Sequence, residues 1–322
     1  MRYLTLLLSL FSISLSAVTE EKAKPVIALI PKGSAHVFWK SVESGALKAG
    51  EDLGVQVLWS APEREDDRRQ QMGMVDSMII RKVDVLCLAP LDGVALREKA
   101  EKATKANIPV IIFDSPLSKA EGVSISYVGT DNYAAGKRGA EGLAKILGGK
   151  GRVLMLRYNA GSSSTEAREE GFSAGIKAFP DIKVISDEQY AGATVAMAVD
   201  KSKSLLLRFS GDQAPDGIFC SNQSTTYGML TALKQSKLAG KVKFVGFDPT
   251  ASLIKSLKQG ELSAIVSQDP YRMGYLTVKA AADKIAGKSI EKNIDTGVSF
   301  VTNENVDTPE IQAVIKPQLG ND

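Results

Sequence analysis

Four apolar runs in this chain each end on one polar side chain. Val110-Ile111-Ile112-Phe113 leads into Asp114, Ile218-Phe219-Cys220-Ser221 into Asn222, Phe244-Val245-Gly246-Phe247 into Asp248, and Ala264-Ile265-Val266-Ser267 into Gln268. Unbroken apolar runs suit strands of a parallel sheet that helices cover on both faces. In open α/β sheets, ligands bind in the crevice outside the carboxyl ends of the strands. Two carboxylates and two amides there offer planar partners that donate and accept in fixed geometry. They suit a small neutral ligand rich in hydroxyls, and a sugar fits that description.

A sugar also has apolar C–H faces that need aromatic surface. Phe38 and Trp39 supply it after the first apolar run, with His36 just before them, and Arg168 and Asp92 complete the candidate set. Each residue has a plainer alternative. Asp114, Asp248 and Asp92 could cap the helices that follow their strands. Arg168 could pair with Glu166 or Glu169 on a solvated face. His36 could be a turn residue. Phe38 and Trp39 could anchor a core, although neighbours on a helix do not share a face.

The elements that must carry these residues alternate strand and helix from Pro25 onward. A strand at 26–30 precedes a helix over 37–53, with Gly54 as its stop. Strands follow at 55–59, 83–89 and 108–113, separated by helices, one running from the charged loop 63–67 through Arg81 and one opening near Asp92. At Gly129-Thr130-Asp131-Asn132 the pattern restarts. A helix then runs to Leu147, the Gly148–Gly151 turn breaks it, and strands at 152–157, 183–186, 217–220, 243–247 and 262–267 form a second series. Repeated βαβ units imply right-handed, doubly wound parallel sheets, here as two similar α/β lobes.

The 322 residues exceed what one compact core needs. Net charge is +3 with basic residues dispersed, which leaves no electrostatic footprint for nucleic acid. The single histidine disfavours most zinc sites and the usual catalytic triads. Cys87 and Cys220 lie inside apolar strands and are expected as free, buried thiols. No cofactor is expected. At the N-terminus, Arg2, the apolar stretch from Leu4 to Leu15 and Ser16-Ala17 follow the order of a secretory signal peptide, 1–17, cleaved near Ala17.

Several stretches together resemble ribose-type periplasmic sugar-binding proteins. They are Ile27-Ala28-Leu29-Ile30 with His36-Val37-Phe38-Trp39, the run from Ala106 to Asp114, Gly129-Thr130-Asp131-Asn132, Arg168-Glu169-Glu170-Gly171-Phe172, Val245-Gly246-Phe247-Asp248 and Ser267-Gln268. The resemblance spans Pro25 to about Thr302. It implies a type I periplasmic binding protein fold with three hinge crossings, near Gly129-Thr130, Gln268-Asp269 and 298–300. The lobes would be 25–129 with 269–298, and 130–268 with 299–322. It also implies a non-enzymatic, monomeric receptor in the periplasm that delivers a monosaccharide, pentose or hexose, to an ABC permease in the inner membrane. By position it assigns stacking to Phe38 and Trp39, a polar contact to His36, and sugar hydroxyls to Asp114, Arg168, Asn222, Asp248 and Gln268. Two departures touch the ligand's identity: ribose binders commonly follow the first-lobe aspartate with arginine, where this chain has Ser115, and carry a phenylalanine near Ala193.

Other function classes fit less well. A repressor would carry a helix-turn-helix before the first strand. A nucleotide-dependent enzyme would need a glycine-rich phosphate loop after it, and neither G-x-G-x-x-G nor a Walker loop is present. A receptor for chemotaxis or for a furanose-like autoinducer stays open as the alternative to uptake.

Overall fold

A computed structural model describes residues 24–319, so the expected export signal lies outside the described residues. The chain begins with β1 (Val26–Ile30), α1 (Val37–Leu53), β2 (Gln56–Trp59), α2 (Arg68–Arg81), β3 (Val85–Leu88), α3 (Arg97–Lys105), β4 (Val110–Phe113) and β5 (Ser126–Gly129). The first crossing enters α4 (Asn132–Ile146). Then come β6 (Gly151–Arg157), α5 (Ser163–Ile176), β7 (Ile182–Tyr190), α6 (Val195–Arg208), β8 (Gly217–Cys220), α7 (Gln223–Gln235), β9 (Lys243–Phe247), α8 (Ala251–Lys258) and β10 (Ala264–Gln268). After the second crossing, α9 (Pro270–Ile285) and β11 (Asn293–Asp295) return to the first lobe. Finally β12 (Val298–Val301) and α10 (Pro309–Ile315) rejoin the second.

These strands form two six-stranded sheets, ordered β11-β5-β4-β3-β1-β2 and β12-β10-β9-β8-β6-β7. The second order repeats the first, and every pairing is parallel except the antiparallel edge strand β12 on β10. Central strands such as β3, β4 and β8 are buried along their whole length, because helices cover both faces. In the first lobe α1 and α9 seal one face while α2 and α3 seal the other. In the second lobe α4 and α5 oppose α6, α7, α8 and α10. Cys87 and Cys220 are buried and free, one in each sheet, as expected.

The repeat extends to single residues. Asp131 and Asp269 both open the helix after a crossing, accepting the backbone N–H of Ala134 and Arg272. Those helices then cross their partners at glycines. A Cβ on Gly274 of α9 would lie 1.9 Å from the Val42 carbonyl oxygen of α1, and one on Gly45 of α1 would lie 2.0 Å from that of Tyr271. In the second lobe Gly136 of α4 and Gly171 of α5 meet the Arg168 and Tyr133 carbonyls at 1.8 and 2.0 Å in the same way. Any side chain here would force the helices apart.

Two expectations need correction. The stretch 298–300, expected as the third hinge, pairs with β10 as β12, and the crossing is made by Thr296-Gly297, with Gly297 at φ +83°. The helix expected from Asp92 begins only at Arg97, because residues 91–96 form a turn that Asp92 stabilises.

Candidate functional site

Where the carboxyl ends of the two sheets face each other, a cavity of about 330 Å³, mouth included, is lined by both lobes. It receives His36, Phe38, Trp39, Asp114, Arg168, Asn222, Asp248 and Gln268 from the expected set. Asp92 is the exception. Its Oδ2 pairs with Arg68 at 2.9 Å, and its Oδ1 accepts the backbone N–H groups of Val94 and Ala95 at 3.0 Å each. Two residues of slack after Leu88 and its neighbour let it turn back on its own loop, so it neither reaches the cavity nor caps the following helix, which opens at Leu96.

Asp114 and Asp248 are the sites' duplicated pair. They end β4 and β9, and both stand in the left-handed region at φ +59° and +61°. Each donates its backbone N–H to the next strand, to Val128 O at 3.0 Å and to Val266 O at 2.9 Å. Neither caps a helix; Thr250 opens α8 instead. Aspartate tolerates this backbone better than most residues, and such conformations persist where surrounding structure holds them. Here they turn both carboxylates into the cavity.

Arg168 lies 2% exposed, so the solvated-face alternative does not hold. Its Nε donates to Asn132 Oδ1 at 2.8 Å and its Nη1 to the Ser221 carbonyl at 3.1 Å. The guanidinium lies 4.1 Å from the Phe247 ring centroid, with Asp248 Oδ2 3.9 Å from Nη1. Burial pushes the Asp248 carboxyl above its ordinary value, against the pull of Arg168 and of Gln268, whose Nε2 donates to it at 2.8 Å. Gln268 in turn accepts from Thr130 at 3.0 Å, and Thr130 lies 3.4 Å from Thr296, so the three crossings meet at one hydroxyl. Asn222 spends its carbonyl on α7, accepting from the N–H and hydroxyl of Thr225. Its amide nitrogen donates to Ser224 Oγ at 3.2 Å.

Phe38 and Trp39 correct the adjacency argument. Both are buried in the same core cluster, ring centroids 4.9 Å apart and edge-on, and both still border the cavity. At the first turn of a helix two neighbours can wedge between core and cleft. Their positions reconcile anchor and wall.

Six lining residues escaped the sequence reading: Lys32, Glu65, Tyr158, Ser164, Thr165 and Gln223. Lys32 and Tyr158 follow β1 and β6 closely, so the strand-end rule applied to those strands would have found them. Glu65 gathers three donors, His36 Nδ1 at 2.7 Å, Trp39 Nε1 at 2.6 Å and, from the second lobe, Tyr158 OH at 2.8 Å. Further bonds cross the cleft from Lys32 to Ser162 and Ser164, from Ser164 N to Ser115 Oγ, and from Phe38 N to Gln223 Oε1. The lobes are closed on each other.

Burial opposes charge on His36, but Glu65 beside it, and more weakly Asp248, outweigh that and raise its pKa above 6.5. Burial likewise opposes charge on Glu65, yet His36, Lys32 and the Trp39 indole hold it at about 2. The pH dependence follows. A raised histidine stabilises fully below its unfolded value of 6.5 and loses that contribution as pH rises through its folded pKa. The depressed Glu65 stabilises above its unfolded value of 4.5 and loses that contribution as pH falls toward 2. The melting temperature of the wild type relative to a His36→Gln variant should therefore be highest between those unfolded values and decline on the alkaline side. Parallel curves above pH 6.5 would show that the pair is not linked to folding.

The profile described as "Periplasmic binding protein domain" matches residues 27–289. The chain belongs to the periplasmic binding protein family. This binding protein is 28% identical over 302 residues to the ribose import binding protein RbsB of Haemophilus influenzae, covering 94% of this chain and all of that one. A solute binding protein from Agrobacterium vitis, solved with bound D-fucose, is 36% identical with a TM-score of 0.85, covering 90% of this chain and 99% of that chain. Another from Agrobacterium radiobacter, solved with D-arabinose, is 31% identical with a TM-score of 0.86, covering 91% and 99%. The binding protein thus shares its two-lobed α/β architecture with sugar-binding relatives across nearly its whole length.

Proposed function

We propose that this protein is a non-enzymatic receptor that captures one neutral monosaccharide between its lobes and presents the closed form to an ABC importer. The observation that carries this reading is the charge balance of the cavity. Lys32 faces Asp114, His36 faces Glu65 and Arg168 faces Asp248, so the lining offers hydroxyl partners of both kinds and no unpaired charge for an ionic ligand. The cavity is small and closed over by both lobes, which suits one sugar ring rather than an oligosaccharide. The D-fucose and D-arabinose bound by the two similar proteins are a deoxyhexose and a pentose, and we place this ligand in that size class. The protein works in the periplasm as a monomer once residues 1–17 are removed, and the sugar shifts the lobes by binding the closed state better than the open one.

A thermal-shift screen of the mature chain against D-arabinose, D-fucose, D-ribose, D-glucose and D-galacturonate tests this. A sugar at about a thousand times its dissociation constant stabilises the native state by roughly 4 kcal/mol, which raises the melting temperature by several degrees. A shift with neutral sugars and none with the uronate is expected. A response to the uronate alone would overturn the neutral-ligand reading.

A further inference from the structure

We infer that Lys32 is a ligand-recognition residue that also latches the lobes, placing an ammonium from the β1–α1 loop at the cavity wall. The inference rests on the receptor reading above and concerns the same cavity. Ser115, next to Asp114, accepts the backbone N–H of Ser164 across the cleft at 3.1 Å and does not line the cavity. Lys32 instead puts an ammonium at the cavity wall. It lies 3.2 Å from Asp114 Oδ2 in its own lobe, and donates to Ser162 Oγ at 3.2 Å and Ser164 Oγ at 2.8 Å in the other. An ammonium has three protons; the two serine hydroxyls take two, which leaves the third for a sugar hydroxyl beside Asp114. Its side chain is 4% exposed.

The second lobe is built to receive it. Ser162 occupies the N-cap position of α5, where serine ordinarily accepts a backbone N–H of the first turn. Here it makes no such side-chain bond, and its hydroxyl faces Lys32. A cation at a helix N-terminus is disfavoured by the helix dipole. Asp114 offsets that repulsion, so the reach of Lys32 across the cleft depends on the same carboxylate that faces the ligand space. Recognition and closure therefore share one charge.

Calorimetric titration with D-arabinose and D-fucose, paired with small-angle X-ray scattering, separates the roles. Four proteins are compared: wild type, Lys32→Met, the double variant S162A/S164A, and the triple variant. Lys32→Met should weaken the bound sugar about 100-fold, and the serine pair about tenfold, although Asp114 keeps its partner there. The triple variant should be no weaker than Lys32→Met, because both changes remove one interaction. A serine variant that binds like wild type, or losses that multiply in the triple, overturns the latch. If neither sugar binds wild type, the receptor reading fails for these sugars, and scattering still decides the latch. A larger radius of gyration for Lys32→Met than for wild type supports it, and an unchanged one overturns it.

Discussion

Replacing Arg168 by methionine is expected to abolish measurable sugar binding and to lower stability by about 3–5 kcal/mol, the cost of breaking a buried ion pair from one side. The guanidinium is held by Asn132, Ser221 and the face of Phe247, and it is the cation nearest Asp248 in the second lobe. Without it the Asp248 carboxylate stays buried with Gln268 and the Gln223 backbone N–H to support its charge, in a position where burial already favours the protonated form. The double variant Arg168→Met/Asp248→Asn removes both charges together. It should recover most of the lost stability, since two neutral groups cost little to bury, yet still fail to bind. Chemical denaturation and calorimetry on the two variants check this. A single variant that binds at wild-type affinity would take Arg168 out of the recognition set.

Asp114→Asn should weaken binding by about 10- to 150-fold, the range of one charge-assisted hydrogen bond. Asparagine keeps the shape and tolerates the left-handed backbone at φ +59°, so the change isolates charge from strain. The bonds that anchor this residue use its backbone: its N–H reaches Val128, and its carbonyl accepts Tyr127 OH at 2.9 Å and Asn132 Nδ2 at 3.3 Å. They survive the substitution, so the melting temperature should fall much less than in the Arg168 variant. Asp114→Ala should show the same binding loss with an added stability cost, because alanine resists that backbone. An Asn variant with unchanged affinity would mean that Lys32, rather than the sugar, is the carboxylate's sole partner.

How far the sequence could be read depended on how closely each residue follows its strand. Asp114, Asn222, Asp248 and Gln268 terminate apolar runs or lie one step beyond, and the sheet delivers all four to the cleft. Lys32 obeyed the same logic but was hidden behind Pro31, and Tyr158 behind Arg157, which points out of the sheet end toward Glu169. Glu65 carried no legible signal. It sits within a run of charges, where the ordinary expectation is a solvated loop, and only the fold reveals that His36, Trp39 and Tyr158 converge on it. Asp92 shows the opposite failure. Its residue type and strand were right, but a slightly longer loop let it satisfy its own backbone. The third crossing was misplaced by the same kind of margin, since an edge strand of four residues has no hydrophobic pattern to separate it from a hinge.

The glycine crossings bear on the order in which this chain can be built. Helix α1 lies near the amino end, yet the partner that closes over it through Gly45 and Gly274 belongs to α9, synthesised after the whole of the second sheet's parallel core. Strand β11, which completes the first sheet, comes later still. A nascent chain of two hundred residues therefore carries an unfinished first lobe with one apolar sheet face only half covered, by α1 without α9. Its native contacts span most of the polypeptide, and long loop closures of that kind slow folding. A chain that cannot complete either lobe from a continuous segment folds late, which suits the export proposed above.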